Sequence, residues 1–421
     1  MKAFRGTLVD FTGNPRTRPG ALRHVEDGLL VVDEGRVVST GPYRPTPGVD
    51  VLDYRGRLLM PGFVDAHIHS VQTDVIGSHA EHLLDWLERH TFPAEARFAD
   101  AEHARAASEY FLDELLRHGT TTAAVLPSVH PESVDAFFTA AEARRLRMAA
   151  GKVMMDRHCP QDVRDDAESS YRDSKALIQR WHGRGRLTYA VTPRFAPSST
   201  ERQLELAGRL VEEHPGVLLQ THLSESEEEV RWVRELFPWA RNYLAVYERY
   251  GMIRPGALFA HCLHLDAGEW EMLAAARATA VHCPSSNLFL GSGLFDFAAA
   301  RASGAGVALG SDVGGGTSFS MLRTMQDAHK VAQMRRVPFD ALDAFYVATL
   351  GGAAALGLDE RIGSFEPGRE ADFIVLRPDA TPLLARRMAQ ADTIAAKLFL
   401  LMTLGDERVI EATYILGESH D

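Results

Sequence analysis

Between Phe63 and Gly310 the chain repeats one pattern eight times: a short, apolar, β-rich run followed in most cases by a longer amphipathic stretch. The runs are Phe63 to His67, Thr120 to Leu126, Met148 to Met154, Leu187 to Thr192, Val217 to Thr221, Leu258 to His261, Ala280 to Cys283 and Val307 to Gly310. Ala101 to His118 and Glu201 to His214, rich in Ala, Glu, Arg and Leu, typify the stretches between them. Eight strand–helix repeats over roughly 300 residues fit a (β/α)8 TIM barrel, with a doubly wound open sheet as the competing topology. The texture differs at the two ends. Gly6 to Phe11, Gly28 to Asp33 and Arg36 to Gly41 are β-rich runs bounded by turn residues, and Gly363 to Gly368, Ala371 to Leu376 and Arg408 to Tyr414 repeat that texture near the C-terminus. The expected organisation is an α/β catalytic barrel over residues 61–360, beside a small β-sandwich domain made discontinuously from 1–60 and 361–421.

In such a barrel the reactive groups sit at the C-terminal ends of the strands. The first strand ends in His67-Ile68-His69, and side chains two apart on a strand point the same way. The fifth ends in His222 with Glu225 three residues on, the sixth ends in His261, and the eighth runs into Asp312 before a glycine-rich turn. A lone strand-end Asp is often a helix or turn cap, and a lone strand-end His is often simply hydrogen-bonded. Metal-binding residue types at four separate strand ends are a different observation. They imply one metal held by His67, His69, His222 and Asp312 with a position left open, as catalytic zinc sites keep. Such a metal makes water a nucleophile at neutral pH. Glu225 is then placed to shuttle a proton, Asp312 to take one from water, and His261 to polarise the electrophile. Zinc is the expected ion, although iron and manganese occupy similar nitrogen–oxygen sites. The fourth strand ends in Val191-Thr192-Pro193-Arg194-Phe195, without the lysine that a carbamylated two-metal bridge needs.

Composition excludes several other classes. A net charge of −12 argues against a nucleic-acid partner. No apolar run spans a bilayer, and Met1 to Gly6 lacks the core of a secretion signal, so the expected location is the cytoplasm and no membrane partner is expected. Cys159, Cys262 and Cys283 are too few and too scattered for a disulfide framework or a zinc knuckle. His282 and Cys283 are adjacent on a strand and face opposite ways, so both cannot enter one site. His79-Ala80-Glu81 resembles half of a nucleic-acid deaminase motif, but the Pro-Cys-x-x-Cys half does not occur in the chain. His264 and His329 have no partner pattern and are read as residues on ordinary helix or loop surfaces.

The motifs resemble the amidohydrolase superfamily: Pro61-Gly62-Phe63-Val64-Asp65-Ala66-His67-Ile68-His69, His222-Leu223-Ser224-Glu225, His261 and Gly310-Ser311-Asp312. Within it the chain is most similar to the guanine deaminase family. That closer likeness rests on Leu83-Leu84-Asp85-Trp86-Leu87-Glu88-Arg89-His90-Thr91-Phe92-Pro93-Ala94-Glu95, with His69-Ser70-Val71-Gln72, Thr192-Pro193-Arg194-Phe195 and Val281-His282-Cys283-Pro284-Ser285-Ser286-Asn287. The resemblance implies hydrolysis of guanine at C2 to xanthine and ammonia by a homodimer. Gln72 and Arg194 would bind the purine edges, Phe195 would contact the ring, and Glu225 would protonate a ring nitrogen. Trp86 and Phe92 are pocket candidates that also read as core residues of a capping helix. The chain departs from the family pattern at Ser285, where Asn is common, and at Gly291 in a Ser-rich loop. Both bear on which ring is accepted, so an oxidised guanine, a pterin or a triazine stands as the alternative substrate. A non-catalytic scaffold is the alternative of a different class, and it predicts lost ligands, which the sequence does not show.

Overall fold

A computed structural model describes residues 1–45, 49–79 and 82–420. The eight expected runs form eight parallel strands: Phe63–His69, Thr120–Leu126, Arg147–Ala150, Thr188–Pro193, Leu218–Leu223, Ala257–His261, Thr279–His282 and Gly306–Leu309. Each pairs with the next in chain order. The ring closes between the last and the first where Asp312 N–H donates to His67 O at 2.9 Å and His69 N–H donates to Val313 O at 3.0 Å. The result is a near-closed (β/α)8 barrel, not a doubly wound sheet.

Small and medium apolar side chains fill the interior, among them Val64, Ala66, Ala124, Ala190, Leu218 and Ala308. The opposite faces of the strands pack on the surrounding helices through larger groups such as Phe63, Val125, Tyr189 and Phe259. The helix Glu201–Glu213 shows why these segments are helical. Thr200 caps it by accepting from Gln203 N–H, and its buried stripe is Leu204, Ala207, Leu210 and Val211. The expected run from Met148 to Met154 is broken into Arg147–Ala150 and Val153–Met154. Gly151 lies between them, where a Cβ would fall 1.7 Å from Ala190 O, so the backbone passes the fourth strand too closely for any side chain.

The two termini meet in one seven-stranded sheet, in the order Glu418–Ser419, Ile410–Ile415, Phe373–Leu376, Asp50–Pro61, Lys2–Phe11, Leu22–Asp33 and Arg36–Pro42. It bends at bulges, such as that between Gly6 and Leu8, over a core of its own in which the Phe373 and Tyr414 rings stack at 4.5 Å. Asp50–Pro61, which the sequence reading did not separate out, is the strand that joins the N-terminal and C-terminal halves. Gly363 to Gly368, expected as strand, is turn. Gly363 and Gly368 have φ of +84° and +89°, which a β ladder does not accommodate. The helix Ile394–Leu404 also went unread, and its Leu398, Leu401 and Met402 belong to the apolar layer around the barrel.

Candidate metal centre

Five imidazole and carboxylate side chains converge at the C-terminal end of the barrel. Ligand atoms of His67, His222, His261 and Asp312 all lie within 4.8 Å of one another. His69 joins them, its Nε2 and that of His67 each 3.3 Å from Asp312 Oδ1. The four residues expected as ligands are thus brought together, with His261 among them.

The strands alone do not aim all of these groups inward. Leu218 faces the interior, so His222, four residues on, does too by simple alternation. Ala308 and Asp312 are related in the same way. In the first strand, however, Val64 and Ala66 face inward, and strict alternation would turn His67 and His69 away. A register shift between Asp65 and Ile68 changes the phase and points both histidines into the site. In the sixth strand Leu258 and Ala260 face inward. His261 follows at φ +73° and Cys262 at φ +54°, so a left-handed turn re-aims the ring.

Hydrogen bonds around the cluster set which nitrogen of each ring is free. His222 Nδ1 donates to Arg194 O at 2.7 Å, leaving Nε2 with its lone pair toward the cluster. His67 Nε2 is buried without a hydrogen-bond partner, as a vacant metal ligand would be. His261 Nε2 is likewise buried without a hydrogen-bond partner, 3.3 Å from Glu225 Oε2 and 3.9 Å from Asp312 Oδ2. Its Nδ1 accepts from the Asn287 amide at 2.8 Å. That contact favours the tautomer with the proton on Nε2, from which His261 can donate into the site. Asp65 accepts from the backbone N–H groups of Ser311 at 3.0 Å and His67 at 3.2 Å, tying the two ligand-bearing strand ends together.

The electrostatics separate the two carboxylates. Burial, with the charges of Asp312 and Glu229, pushes Glu225 well above the usual carboxylate range. Burial acts on Asp312 as well, but the adjacent His67 and His69 imidazoles outweigh it and hold Asp312 well below that range. Burial and the neighbouring imidazoles keep His222 far below its ordinary value, and burial lowers His69, so both are neutral and able to ligate. A buried site of imidazoles and one ionised carboxylate suits zinc or a similar divalent ion.

Above the cluster one cleft is lined by His69, Gln72, Trp86, Arg194, Phe195, His222, Glu225, His261 and Asp312, with Leu83, Leu87, Ser286, Leu290 and Gly315. Of the residues expected at the site, only His67 and the pocket candidate Phe92 are absent from its lining. Its roof is a continuous helical segment, Leu83–Trp86, a π-helical turn Leu87–Thr91 and Phe92–Ala96. Phe92 is not in the wall. It packs 5.4 Å from the Arg194 guanidinium. Ser285 also lies outside the wall, hydrogen-bonded to Thr317 at 2.9 Å, and Ser286 lines the cleft in its place. Three supporting residues escaped the sequence reading although each stands in a quoted motif: Asp65, Asn287 and Glu95. Asp65 stands two residues before His67, whereas Glu95 and Asn287 had no signal beyond membership of those motifs.

The histidine near misses have structural explanations. Cys283 faces the barrel interior, whereas His282 stacks on Phe295 outside it at 4.6 Å. His264 and His329 are half-buried, donating to the backbone carbonyls of Ser292 and Phe339. Of the half-motif His79-Ala80-Glu81, Ala80 and Glu81 lie outside the described residues. Among the described residues no helix is long and apolar enough to cross a membrane.

A parallel barrel carrying this cluster at its strand ends defines a metal-dependent hydrolase, and the chain belongs to the amidohydrolase family, whose model matches residues 58–419. Within that family it groups with the guanine deaminases. It is 49% identical to the guanine deaminase of Escherichia coli (strain K12) over 99% of this chain and 97% of that one. The solved E. coli guanine deaminase superposes with a TM-score of 0.98 at 48% identity, covering 100% of this chain and 99% of that one. A guanine deaminase from C. acetobutylicum with guanine bound in its active site matches with a TM-score of 0.92 at 28% identity, over 100% of both chains.

Proposed function

We propose that the protein hydrolyses guanine to xanthine and ammonia, using one zinc ion held by His67, His69, His222 and Asp312. The observation that carries this reading is the content of the single cleft: the histidine–aspartate cluster, a neutral buried acid and a donor-rich edge made by Gln72 and Arg194. The guanine deaminase relatives support the choice of ring.

A divalent cation at the cluster supplies the Lewis acidity that makes water nucleophilic at neutral pH. The side chains supply the rest. Arg194 and Gln72 grip the edge of the planar base, an arrangement suited to a guanidinium fork and an amide. Phe195 and Trp86 bury its faces and exclude bulk water. Asp312, ionised, accepts the proton of the attacking water. Glu225, neutral, donates its proton to the ring nitrogen beside C2. His261 Nε2–H donates to the oxygen added at C2. When the C2–N bond breaks, the amino group leaves as ammonia with the proton held by Asp312, and the hydroxyl proton left at C2 returns to Glu225, so water and guanine balance against xanthine and ammonia and both carboxyls are restored. Two carboxyls driven apart in pKa are the expected mark of such an acid and base pair. The proposed setting is a purine-degrading homodimer in the cytoplasm. Three free cysteines are compatible with a reducing compartment, and light scattering of the purified protein tests the dimer.

The test is a panel of guanine, 8-oxoguanine, pterins and amino-triazines, followed by ultraviolet absorbance and ammonia release with metal quantified on the same sample. Turnover of guanine with one zinc per subunit is expected. Turnover of another ring with none of guanine rejects the assignment.

A further inference from the structure

Glu95 takes part in no step above and is absent from the wall of the cleft, yet it is fully buried and connects both residues assigned to the base. Arg194 Nη1 donates to both of its oxygens, at 2.9 and 2.7 Å, and Gln72 Nε2 donates to Oε1 at 2.9 Å. The other end of the Gln72 amide is fixed as well, because its Oε1 accepts from Gly314 N–H at 3.1 Å. Turning that amide over would set its oxygen against the Glu95 carboxylate and its NH2 against the Gly314 N–H. Only one orientation survives. What remains for a ligand is the second Nε2 hydrogen of Gln72 and the Nε and Nη2 hydrogens of Arg194, which have no other partner among the described residues. The edge therefore offers donors.

We propose that Glu95 is a positioning residue that sets ring specificity: by holding Gln72 and Arg194 it forces a donor-only edge that selects a purine with an oxo group over one with an amino group there. An oxo group accepts from this edge, whereas an amino group would oppose donor to donor and leave buried N–H groups unpaired, which is how polar sites reject close analogues. The inference rests on the proposed base recognition by Gln72 and Arg194. It does not depend on the chemistry at C2.

Calorimetric binding of hypoxanthine and adenine to the zinc-loaded protein tests it, since the two differ in oxo against amino and neither carries a C2 amino group. The unmodified protein is expected to favour hypoxanthine. Glu95→Gln removes the charge and frees the Gln72 amide, and the preference should fall roughly 10- to 100-fold, the worth of one charge-assisted hydrogen bond. In kinetics the same variant should raise KM for guanine with kcat changed far less, and should narrow the margin over 2,6-diaminopurine. Metal content should stay at that of the unmodified protein. An unmodified protein without the preference, or a Glu95→Gln variant that keeps it, overturns the proposal. So does a fall in kcat and metal content at constant KM, which would make Glu95 a support of the metal centre. Should Glu95→Gln fail to fold, Gln72→Met removes the oriented amide while keeping its length, and retained preference in that variant overturns the proposal equally. Inability to turn over guanine while hypoxanthine is still preferred would reject the proposed substrate and leave the role of Glu95 standing.

Discussion

Replacing Glu370 by alanine should cost the protein much stability and little activity. Glu370 joins the terminal sheet to the barrel at the end opposite the metal cluster. It accepts two hydrogen bonds from Arg147, at the start of the third barrel strand, and two from Arg186, just before the fourth. Side-chain exposures are 7% for Arg147, 7% for Glu370 and 10% for Arg186. Arg186 keeps Asp372 as a second partner. Arg147 has no other ion-pair partner among the described residues, so the variant strands a buried cation, and breaking such a pair costs about 3–5 kcal/mol. With an unfolding entropy of about 2.1 cal/mol/K per residue, a 421-residue chain loses roughly 3–6 °C of melting temperature for that cost. Thermal and urea unfolding measure it, alongside kcat at 25 °C. The double variant Arg147→Met with Glu370→Leu should recover most of the loss, since a packed apolar pair can replace a buried ion pair. The contribution also depends on pH. Burial raises the Glu370 carboxyl, but hydrogen bonds and charge from Arg147 and Arg186 outweigh burial, so its folded pKa lies below the ordinary value. Its stabilisation is therefore complete above the unfolded carboxylate pKa of roughly 4.3 and is lost as pH falls through the lower folded value. A loss below about 1 kcal/mol, the level of an exposed pair, would refute the reasoning.

The remaining expectations concern the site. Glu225→Gln should retain the metal and lose about 10²–10⁴-fold in turnover, and near-normal rates would remove its proton-donor role. Asp312→Ala should purify with substoichiometric metal, and dialysis against a chelator should abolish activity that zinc restores; metal analysis with parallel assays decides both. Gly310→Ala should weaken metal binding, because a Cβ there would fall 2.8 Å from His67 Cβ and 3.1 Å from Cys283 Sγ. Overpacking of this kind costs roughly 1–3 kcal/mol, seen as a lower melting temperature together with reduced metal content.

Much of this was legible in the residues. Runs such as Ala123 to Leu126 and Leu258 to Ala260 are apolar on both faces because both faces are covered, and that pattern is local. His222 and Asp312 could be placed by counting two at a time from inward neighbours. Other parts depend on contacts distant in the chain. Glu95 matters because the fold brings it to Gln72 and to Arg194, 23 and 99 positions away, and no spacing rule links those three. Asn287 acquires meaning only against His261, and Asp50–Pro61 only as the seam between the two termini.

The sequence by itself determined the barrel and the imidazole and carboxylate residues that converge at its strand ends, because periodicity and residue type are carried by neighbours along the chain. Tertiary structure decided where those side chains point. A register shift turns His67 and His69 inward, and a left-handed backbone at His261 aims its ring at Glu225 and Asp312. Such departures from regular geometry are held in place by packing from the whole fold, and local sequence preferences alone would not select them.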